Sequence, residues 1–104
     1  MRQQIEELLR APTSGARAPS LAHMEDTLTE GYAHALALEA ERWRIERRLG
    51  EAAHELAGPS VPRLADEIAS LAKRLRSADG ELSELRMLLG SLHKRTRTVR
   101  YASR

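Results

Sequence analysis

The chain has 104 residues, enough for one small domain and no more. Charged residues make up 31% and aromatics 3%, there is no Cys or Phe, and Ala and Leu number 16 each. That mixture excludes a β-sandwich or barrel and any disulfide or thiolate chemistry, and no apolar run approaches membrane-spanning length. The net charge of +2 is unevenly spread: residues 93–104 carry Lys94, Arg95, Arg97, Arg100 and Arg104 with no acid, which leaves 12 cations against 15 anions in residues 1–92.

Residues 2–10 read as a short amphipathic helix with Ile5, Leu8 and Leu9 on one side. A segment this short is marginal in water unless it docks on something. Acids at Glu6 and Glu7 stand where a secretory leader needs an apolar stretch, so a cytoplasmic location is expected. Arg in preference to Lys, with abundant Ala, points to a GC-rich bacterial genome. Residues 11–19 form a linker of Pro, Gly and small residues.

Ser20 is placed to cap a long helix running to about residue 57. Leu21, Met24, Leu28, Ala35, Leu38, Ile45, Leu49, Ala52 and Leu56 recur at alternating steps of three and four, interrupted by Gly31 and Arg42. Gly58-Pro59 ends this helix and Ser60-Val61-Pro62 starts the next. In the second helix Val61, Leu64, Ile68, Leu71, Leu75, Ala78, Leu82, Leu85, Leu89 and Leu92 fill every seam position, and the helix is expected to end near Leu92 or His93. Gly80 is its weak point, at about 1 kcal/mol relative to Ala. A short connection forces an antiparallel hairpin. Leu56 then faces Leu64, Leu49 faces Leu71 and Ile45 faces Leu75. The fold class is therefore all-α: a coiled-coil-like two-helix hairpin over 20–93, preceded by a short helix and linker over 1–19 and followed by a basic tail over 94–104.

The same register brings Arg42 opposite Ala78 and Asp79. An Arg42–Asp79 pair is expected to help fix the register, as a polar seam residue does in a coiled coil; the alternative is an Arg42 that extends its head group to solvent.

The first helix carries more apolar surface than one partner can cover. Ala33, Leu36, Ala40 and Trp43 form a second stripe, adjoined by Tyr32. On the second helix Ala65, Ala69, Ala72, Met87 and Leu88 lie outside the main seam. Three covers are available: the N-terminal segment, a second copy completing a four-helix bundle, or another helical protein. Self-association comes first, because homodimers are the commonest arrangement. Gly31 and Ala35 make a small-x-x-x-small pair that admits a close neighbour. Trp43 and Arg47, four residues apart, suit a cation–π pair, and a lone Trp framed by Arg is the residue mix of a binding hot spot.

Chemistry is poorly represented. Glu51-Ala52-Ala53-His54 spells the Glu-x-x-His of di-iron bundles, but both ligands fall away from the seam. His23, Glu30 and His34 make no compact ligand set. The glycines are isolated, so no phosphate loop exists, and no base is placed beside a nucleophile. No cofactor, metal or enzymatic activity is expected. The segment His93–Tyr101 offers Lys94, Arg95, Arg97 and Arg100 to phosphate, and its Thr-Arg-Thr-Val-Arg-Tyr alternation also suits an extended edge strand. With Tyr101 its one aromatic, it provides no stacking platform for single strands.

In length and hairpin layout the chain resembles the small Trp-x-Gly proteins exported by specialised secretion systems of Gram-positive bacteria. That family carries its motif at the turn. Here the turn is Ala57-Gly58-Pro59-Ser60 and Trp43 is followed by Arg44-Ile45 in mid-helix, so no residue carries over. The expectation is a small interaction protein that recognises helix faces through Tyr32, Leu36, Trp43 and Arg47. The alternative is a nucleic-acid-associated accessory protein using its basic tail.

Overall fold

The computed structural model describes residues 1–56 and 61–102. Among these residues the protein is all-α, with α1 (Arg2–Arg10), α2 (Leu21–Glu55) and α3 (Val61–Ala102) and no strand. The two long helices pack together. The reversal expected at Gly58-Pro59 lies outside the described residues. The chain divides into two compact units, Met1–Leu36 with Ser83–Arg104, and Ala37–Leu82.

The first unit is built from three helices. α1 closes with the Ala11 amide donating to the carbonyls of Glu7 and Leu8, at 3.1 and 3.3 Å, and Pro12 follows. Gly15 takes a positive φ of 91°, and the Ala18 amide donates back to its carbonyl at 3.2 Å. This left-handed turn directs the linker towards α2, in a conformation that a side chain would oppose. Ser20 then caps α2, its Oγ accepting from the His23 amide at 3.1 Å.

The core of this unit joins Ile5 and Leu8 of α1 to Met24, Leu28 and Ala35 of α2 and to Leu85, Leu89 and Leu92 of α3. A nine-residue helix has too little intrinsic stability to persist alone. Burying Ile5 and Leu8 contributes about 1.5–3 kcal/mol for each side chain, and that docking is what sustains α1. Gly31 is the point of closest approach. A methyl group there would overlap Leu89 Cδ2 and touch Ile5 Cδ1 at 3.6 Å. The small residue thus admits a neighbour from within the same unit.

α3 continues to Ala102, which corrects the expected end near Leu92 and the separate tail from residue 94. The seam does not stop at Leu92. Thr96 is buried and Val99 half-buried, continuing the spacing of four and three. The Thr96 and Thr98 hydroxyls donate to the carbonyls of His93 and Lys94, at 2.7 and 3.1 Å, so their polar groups are satisfied within the helix. Cations in a last turn also suit the helix dipole. A polar residue at a seam position concealed this continuation from a count of apolar residues. The extended edge strand proposed for Thr96–Tyr101 is likewise replaced by helix.

Among the described residues, the second unit contains parts of α2 and α3. They run antiparallel: Arg42 meets Asp79, and Arg48 meets Glu67. Ile45, Ala52, Leu64, Leu71, Ala78 and Leu82 are buried in the seam. Leu38, Leu49, Ile68 and Leu75 are only half-buried, and Leu56 is exposed. Two helices present one seam to each other, and among the described residues of this unit no further element covers its edges.

Candidate interaction surfaces

Trp43 lies two residues before the buried Ile45, about 160° around the helix from it. It therefore points away from the seam of the second unit and remains 59% exposed. The Arg47 guanidinium sits over the indole, 5.5 Å from the ring centroid. The expected cation–π pair is present, and it places a cation over one face of the ring. Around it, Glu41 accepts from Arg44 at 3.0 Å and from Arg74 at 2.7 Å. Those two hydrogen bonds, Arg44 first, hold the Glu41 carboxyl below its ordinary range.

In the first unit Tyr32 and Leu36 occupy successive turns of α2 and are 46% and 66% exposed. α1 docks on this unit yet leaves both in solvent. Folding back of the N-terminal segment is thus seen, but it does not cover the second stripe. Met87, also outside the seam of α3, is exposed as well.

The Arg42–Asp79 pair forms with a separation of 3.4 Å, and Arg42 also approaches Glu46 at 3.7 Å. Both sit at the surface, with side chains 37% and 51% exposed. A more closely bonded cross-helix contact lies elsewhere. Arg48 grips Glu67 with two hydrogen bonds, Nε to Oε1 at 2.6 Å and an Nη to Oε2 at 2.9 Å. Its other terminal nitrogen reaches Glu51 and Glu55, at 3.4 and 3.3 Å. Arg48 holds the Glu67 carboxyl below its usual range, and the same fork raises the Arg48 guanidinium. Sequence reading passed over this pair. The signal was available, because Arg48 and Glu67 both flank the seam on the side where antiparallel helices bring charged residues together.

The four basic residues expected to meet phosphate are placed differently from one another. Arg95 is half-buried and donates to the carbonyls of Leu8 and Ala11, at 2.8 and 3.0 Å. It satisfies the C-terminal end of α1, where unpaired carbonyls are otherwise left. Arg100 is ion-paired with Glu25 of α2. Lys94 and Arg97 are exposed.

Glu51 and His54 are both exposed, and Glu51 is engaged with Arg47 and Arg48. Among the described residues no group of three His, Cys, Asp or Glu side chains is placed to hold a metal ion, and no helix is long and apolar enough to cross a membrane. Comparison with protein-family models, curated proteins and solved structures finds no match for the chain.

Proposed function

We propose that the protein is a non-enzymatic interaction module that recognises helices through exposed apolar faces, and that its first partner is a second copy of itself. The observation that carries this reading is Trp43, the single tryptophan, held in mid-helix with more than half its surface in water and an arginine stacked on it. Covering a side chain of that size removes on the order of 100 Å² of apolar surface, about 2–3 kcal/mol. Tyr32 and Leu36 offer a second exposed patch in the other unit. Arg44, Arg47 and Glu41 supply a charged rim that sets orientation more than affinity.

Self-association is favoured by the state of the second unit. Its two helices leave Leu38, Leu49, Ile68 and Leu75 half in solvent, and small cores are ordinarily completed by further helices. The nucleic-acid reading is the weaker one, because residues 94–102 are helical and Arg95 is turned to the backbone carbonyls that end α1.

Trp43 is its own reporter. Its emission should shift to shorter wavelength as protein concentration rises, and Trp43→Ala should give the lower-concentration species with unchanged helicity. Emission that is independent of concentration up to the solubility limit removes the self-association reading. Major unfolding of the variant would instead place Trp43 in the core.

A further inference from the structure

The first unit contains a cleft of about 280 Å³ between α2 and the last turns of α3, close to the lower size of small-molecule sites. Arg97, Arg100 and His93 line it from α3, and Glu25, Leu28 and Tyr32 line it from α2. Two guanidinium groups therefore stand against one carboxylate. Glu25 pairs with a single terminal nitrogen of Arg100, which orients the group and leaves further N–H donors. Leu28 gives the cleft a buried apolar floor, and the half-exposed Tyr32 ring forms a wall. Thr29 and Thr96 also border the space. Each donates its hydroxyl proton to a backbone carbonyl, of Glu25 at 3.1 Å and of His93 at 2.7 Å, so both present acceptors only.

The parts divide by chemistry. One end offers fixed positive charge and fork-shaped donors, the arrangement that suits carboxylate and phosphate oxygens. The floor and wall offer apolar and aromatic contact. We propose that this cleft binds a small organic oxyanion, a carboxylate or phosphate monoester borne on an apolar ring, with Arg97 and Arg100 holding the anion and Leu28 and Tyr32 holding the ring. The site shares Tyr32 with the second exposed patch but uses neither Trp43 nor Arg47, so its test reads separately from self-association through Trp43.

The experiment is a ¹H–¹⁵N NMR titration of the full chain at fixed ionic strength, which removes general screening as a cause. The probes are phenyl phosphate, benzoate, inorganic phosphate and phenol. Saturable shifts centred on Thr29, Tyr32, Thr96 and Arg97 are expected with phenyl phosphate or benzoate, and the tighter of the two identifies the anion. Inorganic phosphate and phenol, each carrying half of the recognised chemistry, should bind more weakly. Arg97→Ala should weaken the preferred probe roughly tenfold, the size of one charge-assisted hydrogen bond. Arg97 is exposed, so the variant should keep the spectrum of the folded chain, and Arg100→Lys provides a second test that retains charge but loses the fork. Shifts that fail to saturate, or that are unchanged in both variants, overturn the proposal. So does a short DNA duplex that displaces phenyl phosphate and binds more tightly than it, which would assign the arginines to nucleic acid.

Discussion

Replacing Gly31 by Ala sets two opposing effects against each other at a single atom. In an open helical position the change should stabilise by about 1 kcal/mol, because Gly gives up more backbone freedom on folding. At residue 31 the added methyl overlaps Leu89 Cδ2, and Leu89 is itself 1% exposed, so its side chain has little room to yield. Overfilling a packed core costs about 1–3 kcal/mol, so the net change should run from near zero to about 2 kcal/mol of destabilisation. The molecule supplies its own controls. Gly50, Gly80 and Gly90 are helical and have nothing within 4 Å of where an added methyl would sit, so Ala at each should be stabilising. Urea denaturation of the four single variants measures the contrast. Gly31→Ala should fall below the mean of the other three by about 1–3 kcal/mol. A difference within about 0.5 kcal/mol, the scatter of ordinary surface changes, would refute the close approach of α2 and α3 at this point.

Ile5→Ala should cost about 2–5 kcal/mol, because Ile5 is fully buried between the long helices; denaturation unchanged from the parent would mean that α1 is undocked. Arg95→Ala should raise hydrogen-exchange rates of the α1 amides well above those of α2 and α3, since it removes two bonds to the carbonyls that end α1; uniform exchange across all three helices would contradict this. Glu67 and Glu41 sit below their ordinary value of 4.5, so their contribution is complete above that pH and is lost as the pH falls through their lowered values. Stability should accordingly decline on acidification below about pH 4.5, and Glu67→Gln should flatten part of that decline. An identical acid profile for the variant would show that Arg48 does not hold this carboxylate. A double-mutant cycle on Arg42 and Asp79 should give a coupling of at most about 1 kcal/mol, as expected for an exposed pair. No measurable coupling would leave Arg42 without a part in fixing the register.

The seam was legible from its spacing: Leu64, Leu71, Ala78, Leu82, Leu85, Leu89 and Leu92 are all buried, whereas Ile68 and Leu75, at seam positions in the two-helix unit, are only half-buried. Trp43, Leu36 and Tyr32 were legible as its complement, being offset from that spacing on the same helix. What escaped reading depends on long-range contacts. α1 docks because Gly31 leaves space beside Leu89 and because Arg95, more than eighty residues away, reaches its terminal carbonyls. Neither local period nor composition encodes that meeting. Arg95 read as a surface cation available to phosphate, yet in the fold one of its terminal nitrogens donates to two backbone carbonyls. Thr96 read as a tail residue because it is polar, although a hydroxyl satisfied by the His93 carbonyl is readily buried in a helix seam. The cleft gathers His93, Arg97 and Arg100 with Glu25 and Tyr32, residues distant in sequence that only the antiparallel packing brings together.

If, as we propose, the exposed faces are recognition surfaces that a second copy occupies first, the mass of the protein in solution depends on its concentration. Sedimentation velocity of the full chain over a wide concentration range, beside Trp43→Ala, tests it most directly. The parent should pass from the 11.6 kDa monomer to a species of twice that mass, and the variant should remain at the lower mass with the same helicity. A parent that sediments as a monomer at every concentration would contradict the claim.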